Sequence, residues 1–331
     1  TVTGVQTCAL PIYLGRRVEV GRRGAHQRGV DRGRDDHAQR AARCDGAGVM
    51  APLVKQSPQH QAGEHRVAEG KNALICGRRG ALAIDGGTYT EEGQAMADYL
   101  RKRGYVADRL ALTHGHGDHV LGAKPLADGE VYAHARTPGV IRRHAVDWAR
   151  RQQRSLDRLI AELPMPTVTY TDELCIDLGD VSARFFPTPG HSEDGVSAYV
   201  EERRLLVGGD AVVTGIVPAI GDGDSRVLEA SLRRLLDMDI DILLPGHGPV
   251  VCGAADVRGW IAWEAAYLSG VRDRVAELLS AGWDGDALVE QVDFAQHSAG
   301  RLSAEKHGML KRHQATVAVV VGELKRAGEG A

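Results

Sequence analysis

Three histidines and one aspartate lie within six consecutive positions, in the segment His114-Gly115-His116-Gly117-Asp118-His119. Imidazole and carboxylate groups are the ligands that Zn²⁺ takes in proteins, and Fe or Mn can occupy the same set. The glycines between them allow the backbone to turn tightly. We therefore expect His114 and His116 to face one ion, and Asp118 and His119 to be placed for a second.

The same arrangement of an apolar strand, a Gly or Pro and a metal-binding residue recurs three times further along the chain. It places His191 after Pro189-Gly190, Asp210 after Gly208-Gly209, and His247 after Pro245-Gly246. Glycine and proline bend the chain at the end of an extended segment. Together with the first motif, these endings predict a site assembled from loops on one edge of a sheet sandwich.

The segments before the first motif predict the elements that position it. Apolar runs at 72–76 and 81–84 predict two strands, and the second ends in Asp85-Gly86-Gly87. A helix is predicted from Thr90 to Gly104, followed by a strand at 108–112, so the sheet is expected to be mixed and covered by helices. Asp85 has two interpretations, either an acceptor that orients a ligating histidine or a simple turn residue.

An Arg-rich segment at 138–162 is predicted to be a long helix. It is either a rim that recognises an anionic substrate or, as we favour, a solvated helix face. Helical spacing also runs through the last part of the chain, so 50–252 is predicted to be one domain with the insertion 138–162, and 253–331 a C-terminal helical extension. His297, His307 and His313 are expected to be surface or packing residues.

The N-terminal residues look unlike the rest. Residues 2–12 resemble the translation of a sequencing-library adapter, and the Arg/Gly/Ala-rich stretch after them looks like GC-rich DNA read out of frame. We interpret 1–49 as an artefactual or disordered segment and exclude it from fold reasoning. The native start would then be lost or lie near Met50, and a signal peptide would be invisible.

Composition limits the function classes. The 331 residues are 43% hydrophobic, which supports a sizeable core, and the formal net charge of −3 argues against a nucleic-acid partner bound through bulk charge. No apolar run reaches the length of a membrane span. The five cysteines are widely spaced and form no CxxC pair, which favours a reducing compartment. We expect a cytoplasmic protein with a small-molecule substrate, and we leave a homodimer open.

The complete set of spaced ligands resembles the metallo-β-lactamase superfamily over residues from about 65 to 250. The resemblance implies an α/β (α+β) fold, a four-layer αββα sandwich with the metals at the edge where the two sheets meet. It implies one metal held by His114, His116 and His191, a second held by Asp118, His119 and His247, and Asp210 as the bridge. Asp118 and Asp210 are the residues we expect to be catalytic.

The chemistry of such a site is hydrolysis. Two ions about 3.5–4 Å apart share a water whose pKa falls from ~15.7 toward ~7, so a nucleophile exists at neutral pH. We expect two Zn²⁺, with Fe or Mn as substitutes, and a metal-bridging hydroxide that cleaves a small ester, thioester or lactone. The β-lactamases of the superfamily typically lack a bridging aspartate, which argues against antibiotic hydrolysis.

Two alternatives use the same residues. A mononuclear iron persulfide dioxygenase would need His114, His191 and Asp210 for one ion. A nuclease or phosphodiesterase of the same fold would need a surface for a polyanion, which the sequence does not show.

Overall fold

The structure is a computed structural model that describes residues 49–50, 72–305 and 308–329. Most of the predicted artefactual segment therefore lies outside the described residues. Its last residue, Val49, belongs to a short strand, one residue before the predicted domain start at 50. The division into domains otherwise remains a prediction.

The first sheet has six strands in chain order, β1 to β6. The pairs β1/β2 and β2/β3 are antiparallel, and the remaining neighbours are parallel. Its strands are β1 (Val49–Met50), β2 (Ala73–Gly77), β3 (Gly80–Ile84), β4 (Arg109–Ala111), β5 (Glu130–His134) and β6 (Val168–Tyr170). The mixed sheet expected from the strand–helix–strand order is confirmed.

The second sheet also has six strands, in the order β12-β11-β10-β9-β8-β7. Its neighbours are antiparallel except for β10 and β11. Its strands are β7 (Leu174–Asp177), β8 (Ser182–Pro187), β9 (Val196–Val200), β10 (Leu205–Val207), β11 (Ile242–Leu244) and β12 (Val251–Cys252). Strands β1, β6 and β12 were not predicted, because two or three residues carry no readable periodicity. The equally short β4, β10 and β11 were predicted because each lies in a longer apolar run.

Nine α-helices lie in the described part of the chain. They are α1 (Thr90–Arg101), α2 (Gly117–Val120), α3 (Thr137–Arg151), α4 (Leu156–Glu162), α5 (Ser225–Leu235), α6 (Ala254–Ser280), α7 (Gly285–Glu290), α8 (Phe294–Ser298) and α9 (Met309–Glu329). No described helix combines the length and the apolar composition that a membrane span requires.

Successive side chains of each strand point to opposite faces of its sheet, and this places them in separate buried layers. In β3, Leu82 and Ile84 point into a core between the two sheets, whereas Ala81 and Ala83 point into a core beneath α1 and α3. Successive side chains of a strand point to opposite faces, so an apolar strand covered on both faces buries both sets. The second sheet repeats the pattern, with its outer face covered by α5, α6 and α9. The predicted αββα sandwich with C-terminal helices is confirmed.

The predicted single helix over 138–162 is instead two helices, α3 and α4. Gln153 between them has a positive φ of 53°, a left-handed conformation that no α-helix can contain. Ser155 then begins the new helix in extended geometry. Helical composition on both sides of this turn concealed the break in the sequence.

Candidate metal centre

The first motif follows β4 and continues into α2. His114 and His119 are each only 1% exposed, so this loop lies inside the protein. Its glycines are required by packing as well as by turning: a Cβ on Gly115 would lie 2.9 Å from a methyl group of Val140 in α3. Helix α3 therefore packs so closely over this loop that a side chain in place of Gly115 would not fit.

The other three predicted residues come from loops at the same edge of the second sheet. His191 follows β8, Asp210 lies in a 3₁₀ turn after β10, and His247 follows β11. Gly246 lies so close to Asp210 that a Cβ there would be 2.0 Å from its Oδ1. Glycine thus lets the last loop pass beside the carboxylate.

All seven residues predicted from the sequence converge at one place. Two groups each bring three ligand atoms within 4.8 Å of one another: His114, His116 and His191 in the first, and Asp118, His119 and His247 in the second. In the first group His116 Nδ1 lies 2.9 Å from His191 Nε2. In the second His247 Nε2 lies 3.1 Å from Asp118 Oδ2.

Asp210 lies between the two groups, and its two oxygens face different histidines. Oδ1 is 3.2 Å from His119 Nε2. Oδ2 is 3.2 Å from His247 Nε2 and 3.4 Å from His191 Nε2. A carboxylate in this position can reach an ion in either group.

Three buried atoms at the centre make no hydrogen bond of good geometry: His114 Nε2, His119 Nε2 and Asp210 Oδ1, although the last two lie 3.2 Å apart. A buried polar atom left unpaired costs about 1–3 kcal/mol, so native proteins rarely contain three together unless something else binds them. A set of imidazole and carboxylate atoms aimed at one another fits a transition-metal ion such as Zn²⁺, Fe or Mn.

Asp85 orients His119 directly and His114 through the hydroxyl of Thr113, on the side of both rings away from the centre. Its Oδ2 accepts from His119 Nδ1 at 2.8 Å and from Thr113 Oγ1 at 2.7 Å. The same hydroxyl oxygen accepts from His114 Nδ1 at 3.1 Å. Both rings therefore turn their Nε2 atoms toward the centre. Of the two interpretations of Asp85, the structure matches the acceptor that orients a histidine.

Two further orienting contacts were not predicted. His191 Nδ1 donates to the carbonyl of Ala219 at 2.9 Å, and His116 Nε2 donates to Asp222 Oδ1 at 3.0 Å. Both acceptors belong to a loop before α5. Its Gly-Asp-Gly-Asp sequence predicts a turn. No local sequence feature indicates that Asp222 contacts His116, which lies 106 positions earlier.

The charges at the centre depend on one another. Burial opposes ionisation of Asp210, but the surrounding histidines, led by His247 and His119, hold its pKa well below the usual value. Burial likewise opposes protonation of His247, but the Asp210 carboxylate raises the pKa of its imidazole to about 9. Without a metal the site therefore holds protons at neutral pH, and an ion that binds there must displace them.

Helix α3 forms the rim above the first group of histidines. His144 contacts Asp222 at 3.3 Å and stacks on Trp148, with ring centroids 5.8 Å apart. Arg143 pairs with Glu193 at 2.5 Å and reaches Asp222 at 3.5 Å. All the arginines of the Arg-rich segment are exposed to solvent, which agrees with the favoured interpretation of that segment as a solvated face.

The comparisons with known proteins agree with the fold. The profile of the Metallo-beta-lactamase superfamily matches residues 71–247. A linear primary-alkylsulfatase from a Pseudomonas species is 22% identical over 269 residues, covering 69% of this chain and 50% of that protein. A hydroxyacylglutathione hydrolase from Francisella tularensis subsp. novicida is 28% identical over 212 residues, covering 62% of this chain and 73% of that protein.

A solved structure shows the same fold over most of both chains. It is a metallo-beta-lactamase family protein from Thermus thermophilus, with 19% sequence identity and a TM-score of 0.56 over 85% of this chain and 94% of that one. The chain spans only half the length of the alkylsulfatase that it matches. Since the family profile covers more than half of the residues, the chain belongs to the metallo-beta-lactamase superfamily.

Proposed function

We propose that the protein is a dinuclear metal-dependent hydrolase that cleaves a small ester, thioester or lactone. In this proposal His114, His116 and His191 hold one ion, Asp118, His119 and His247 hold the other, and Asp210 bridges them. The observation that carries it is that both three-residue groups meet at one buried carboxylate: Asp210 Oδ2 lies 3.4 Å from His191 Nε2 of the first group and 3.2 Å from His247 Nε2 of the second. A mononuclear site would not explain why Asp118, His119 and His247 also lie close together.

A bound pair of Zn²⁺ ions would supply an activated water at neutral pH and an electrophilic contact for the scissile carbonyl or a similar group. The protein's own part is to hold its side chains ready for that pair. Asp85 and the carbonyl of Ala219 fix histidine rings by their outer nitrogens, so little rearrangement is needed on binding.

Asp118 is the member of the set that is most open to a substrate. Its side chain is 33% exposed, whereas that of Asp210 is 7% exposed. Burial opposes ionisation of Asp118, but His119 and His247 hold the pKa of its carboxyl below the usual value. In our proposal Asp118 therefore stays ionised and would hold the second ion on the side that a substrate reaches, while Asp210 would link the two groups of ligands.

The relatives support two forms of ester as substrates. The name of one relative specifies an acylated glutathione, which is a thioester, and that of the other an alkyl sulfate, which is a sulfate ester. We place the carboxylic ester, thioester or lactone first. A sulfate ester is the second candidate, because the alkylsulfatase match extends over the larger share of this chain.

The rim gives no support to a polynucleotide substrate. Arg143 is paired with Glu193, and Arg150 with Asp147 at 2.9 Å, so part of the positive charge of α3 is already neutralised. A nuclease would also show a steep loss of binding with salt, because phosphate contacts release counterions.

A substrate panel tests the proposal. The purified protein is incubated with an aryl ester, a lactone, an S-acyl glutathione, an alkyl sulfate and an oligonucleotide, each with and without a chelator. We expect turnover of at least one of the first three, abolished by the chelator and restored by Zn²⁺. The Asp210→Asn variant serves as the site-specific control and should be inactive. Chelator-insensitive turnover, or cleavage of the oligonucleotide alone, would refute the proposal.

A further inference from the structure

The loop of residues 218–225 contacts two of the histidines on the side away from the metal centre. Its Ala219 carbonyl accepts from His191, and its Asp222 carboxylate accepts from His116. The backbone also packs against a ring, since a Cβ on Gly221 would lie 2.7 Å from His116 Cε1. The position of this loop therefore sets the direction of two imidazoles.

Both ends of the loop are held by the C-terminal helix α9. At one end Thr316 Oγ1 donates to the carbonyl of Pro218 at 3.0 Å, and this hydrogen bond is buried. At the other end Glu323 accepts from the backbone N–H of Ser225 at 2.9 Å and from its hydroxyl. Thr316 and Glu323 are seven residues apart, two turns of helix, so both project from one face of α9.

The loop also touches the chain segment that carries His191. The N–H of Asp224 donates to the carbonyl of Gly190 at 2.9 Å. A Cβ on Gly223 would lie 2.1 Å from the same oxygen. With so little space between them, a displacement of the loop must also displace His191.

We propose that α9 is a positioning element of the metal centre, and that Thr316 and Glu323 act through the 218–225 loop to aim His116 and His191. Helix α9 contains none of the seven candidate ligands. It completes the site from the far end of the sequence, about a hundred residues from the loop that it holds. The inference rests on the metal centre of the proposed function but not on its substrate.

The test is the metal affinity of the double variant Thr316→Val/Glu323→Ala. Loss of an outer partner of a metal ligand typically weakens binding by about 10–100-fold, and we expect about tenfold here because the loop keeps its contact with Gly190. Affinity for Zn²⁺ is measured by competition with a chromophoric chelator. Co²⁺ is loaded separately, and its visible absorption reports the geometry of the ligands.

The matched control is Tyr267→Phe. It removes a buried hydrogen bond from Tyr267 to His313 at 2.7 Å, between α6 and the same helix α9, and leaves Thr316 and Glu323 in place. We expect this variant to lose thermal stability while its Zn²⁺ affinity and Co²⁺ spectrum stay at wild-type values. The single variants Thr316→Val and Glu323→Gln, which preserve side-chain shape, should each weaken Zn²⁺ binding by less than the double variant.

The outcomes separate the two proposals. Wild-type Zn²⁺ affinity and an unchanged Co²⁺ spectrum in folded single or double variants would overturn the positioning role. An equal loss of affinity in Tyr267→Phe would also overturn it, because general destabilisation would then explain the effect. Failure of the wild-type protein to turn over any ester leaves the affinity measurement valid, whereas its failure to bind Zn²⁺ or Co²⁺ would refute both proposals.

Discussion

At the scale of single residues, most of the candidate ligands were predictable and most of their supports were not. A metal ligand needs a particular side chain, so His114, Asp210 and His247 stand out from the residue type and the preceding strand. An orienting acceptor can be any oxygen, and a backbone carbonyl such as that of Ala219 cannot be recognised as one from the sequence. Asp85 was recognisable because it also ends a strand, although a turn residue would have looked the same.

Asp85 gives the first prediction. Replacing it by Asn keeps the shape and tolerates the positive φ of 57°, but the amide can no longer accept from His119 and Thr113 as a carboxylate does. We expect Zn²⁺ to bind about 10–100-fold more weakly in Asp85→Asn. Titration against a competing chelator measures this, with Asp180→Asn, on the distant β7–β8 turn, as the control. Equal affinity in the two variants would contradict the assignment.

Glu264 gives the second prediction, on pH. Its side chain is fully buried, Oε1 accepts from the N–H of Val213 at 3.1 Å, and Oε2 has no partner. Burial raises the pKa of its carboxyl well above the usual value. The native state then holds the proton more tightly than the unfolded state, so stability falls as pH rises above the unfolded pKa, by about 1.4 kcal/mol for each unit of pKa difference.

Glu264→Gln removes that penalty. We expect the variant to match the wild type at about pH 4 and to become the more stable protein as pH rises to about 8, because only the wild type has an ionising group there. Urea unfolding across this pH range provides the measurement. A difference in unfolding free energy that is constant with pH would contradict the burial argument.

At the scale of elements, most of the strands could be predicted because they lie in apolar runs that end in a turn, whereas the short β1, β6 and β12 could not. The break between α3 and α4 could not, since it depends on one left-handed residue, Gln153. The role of the loop glycines was only partly foreseen. Turning was expected of Gly115 and Gly246, but both are needed because another element lies against them. Packing between distant segments has no local sequence signal.

Gly246 tests that interpretation. In Gly246→Ala the new methyl group would meet the Asp210 carboxylate and force it or the His247 loop to move. We expect at least a tenfold loss of Zn²⁺ affinity, comparable with the loss of a direct support of a ligand. Gly328→Ala in α9, where a Cβ meets nothing within 4 Å, is the control and should bind as the wild type does. Wild-type affinity in Gly246→Ala would show that the loops are not tightly packed.

At the scale of the whole molecule, the C-terminal helices share a core with the second sheet. Leu268 and Val271 of α6 belong to the same buried cluster as Leu206 and Leu243 of the strands. The sequence indicated a separate helical extension, because the spacing of apolar residues predicts helices but does not show which element they pack against. In the structure they pack against the second sheet. We expect the helices and the sandwich to unfold together.

Leu268→Ala tests this cooperativity. Leu268 is fully buried, and truncating such a side chain costs about 2–5 kcal/mol. If the core is shared, the variant should unfold in one transition at a lower temperature, and signals from helices and from the metal centre should change together. Two separated transitions, with only one of them shifted, would show that the C-terminal helices form an independent unit.

We propose that two metal ions bind among these seven side chains and that hydrolysis depends on them. Elemental analysis of the purified protein, paired with ester, thioester and lactone turnover before and after metal removal, tests it most directly. We predict about two zinc ions per chain and activity that is lost on chelation and restored by Zn²⁺. A single iron per chain with oxygen uptake, or hydrolysis that persists after all metal is removed, would contradict it.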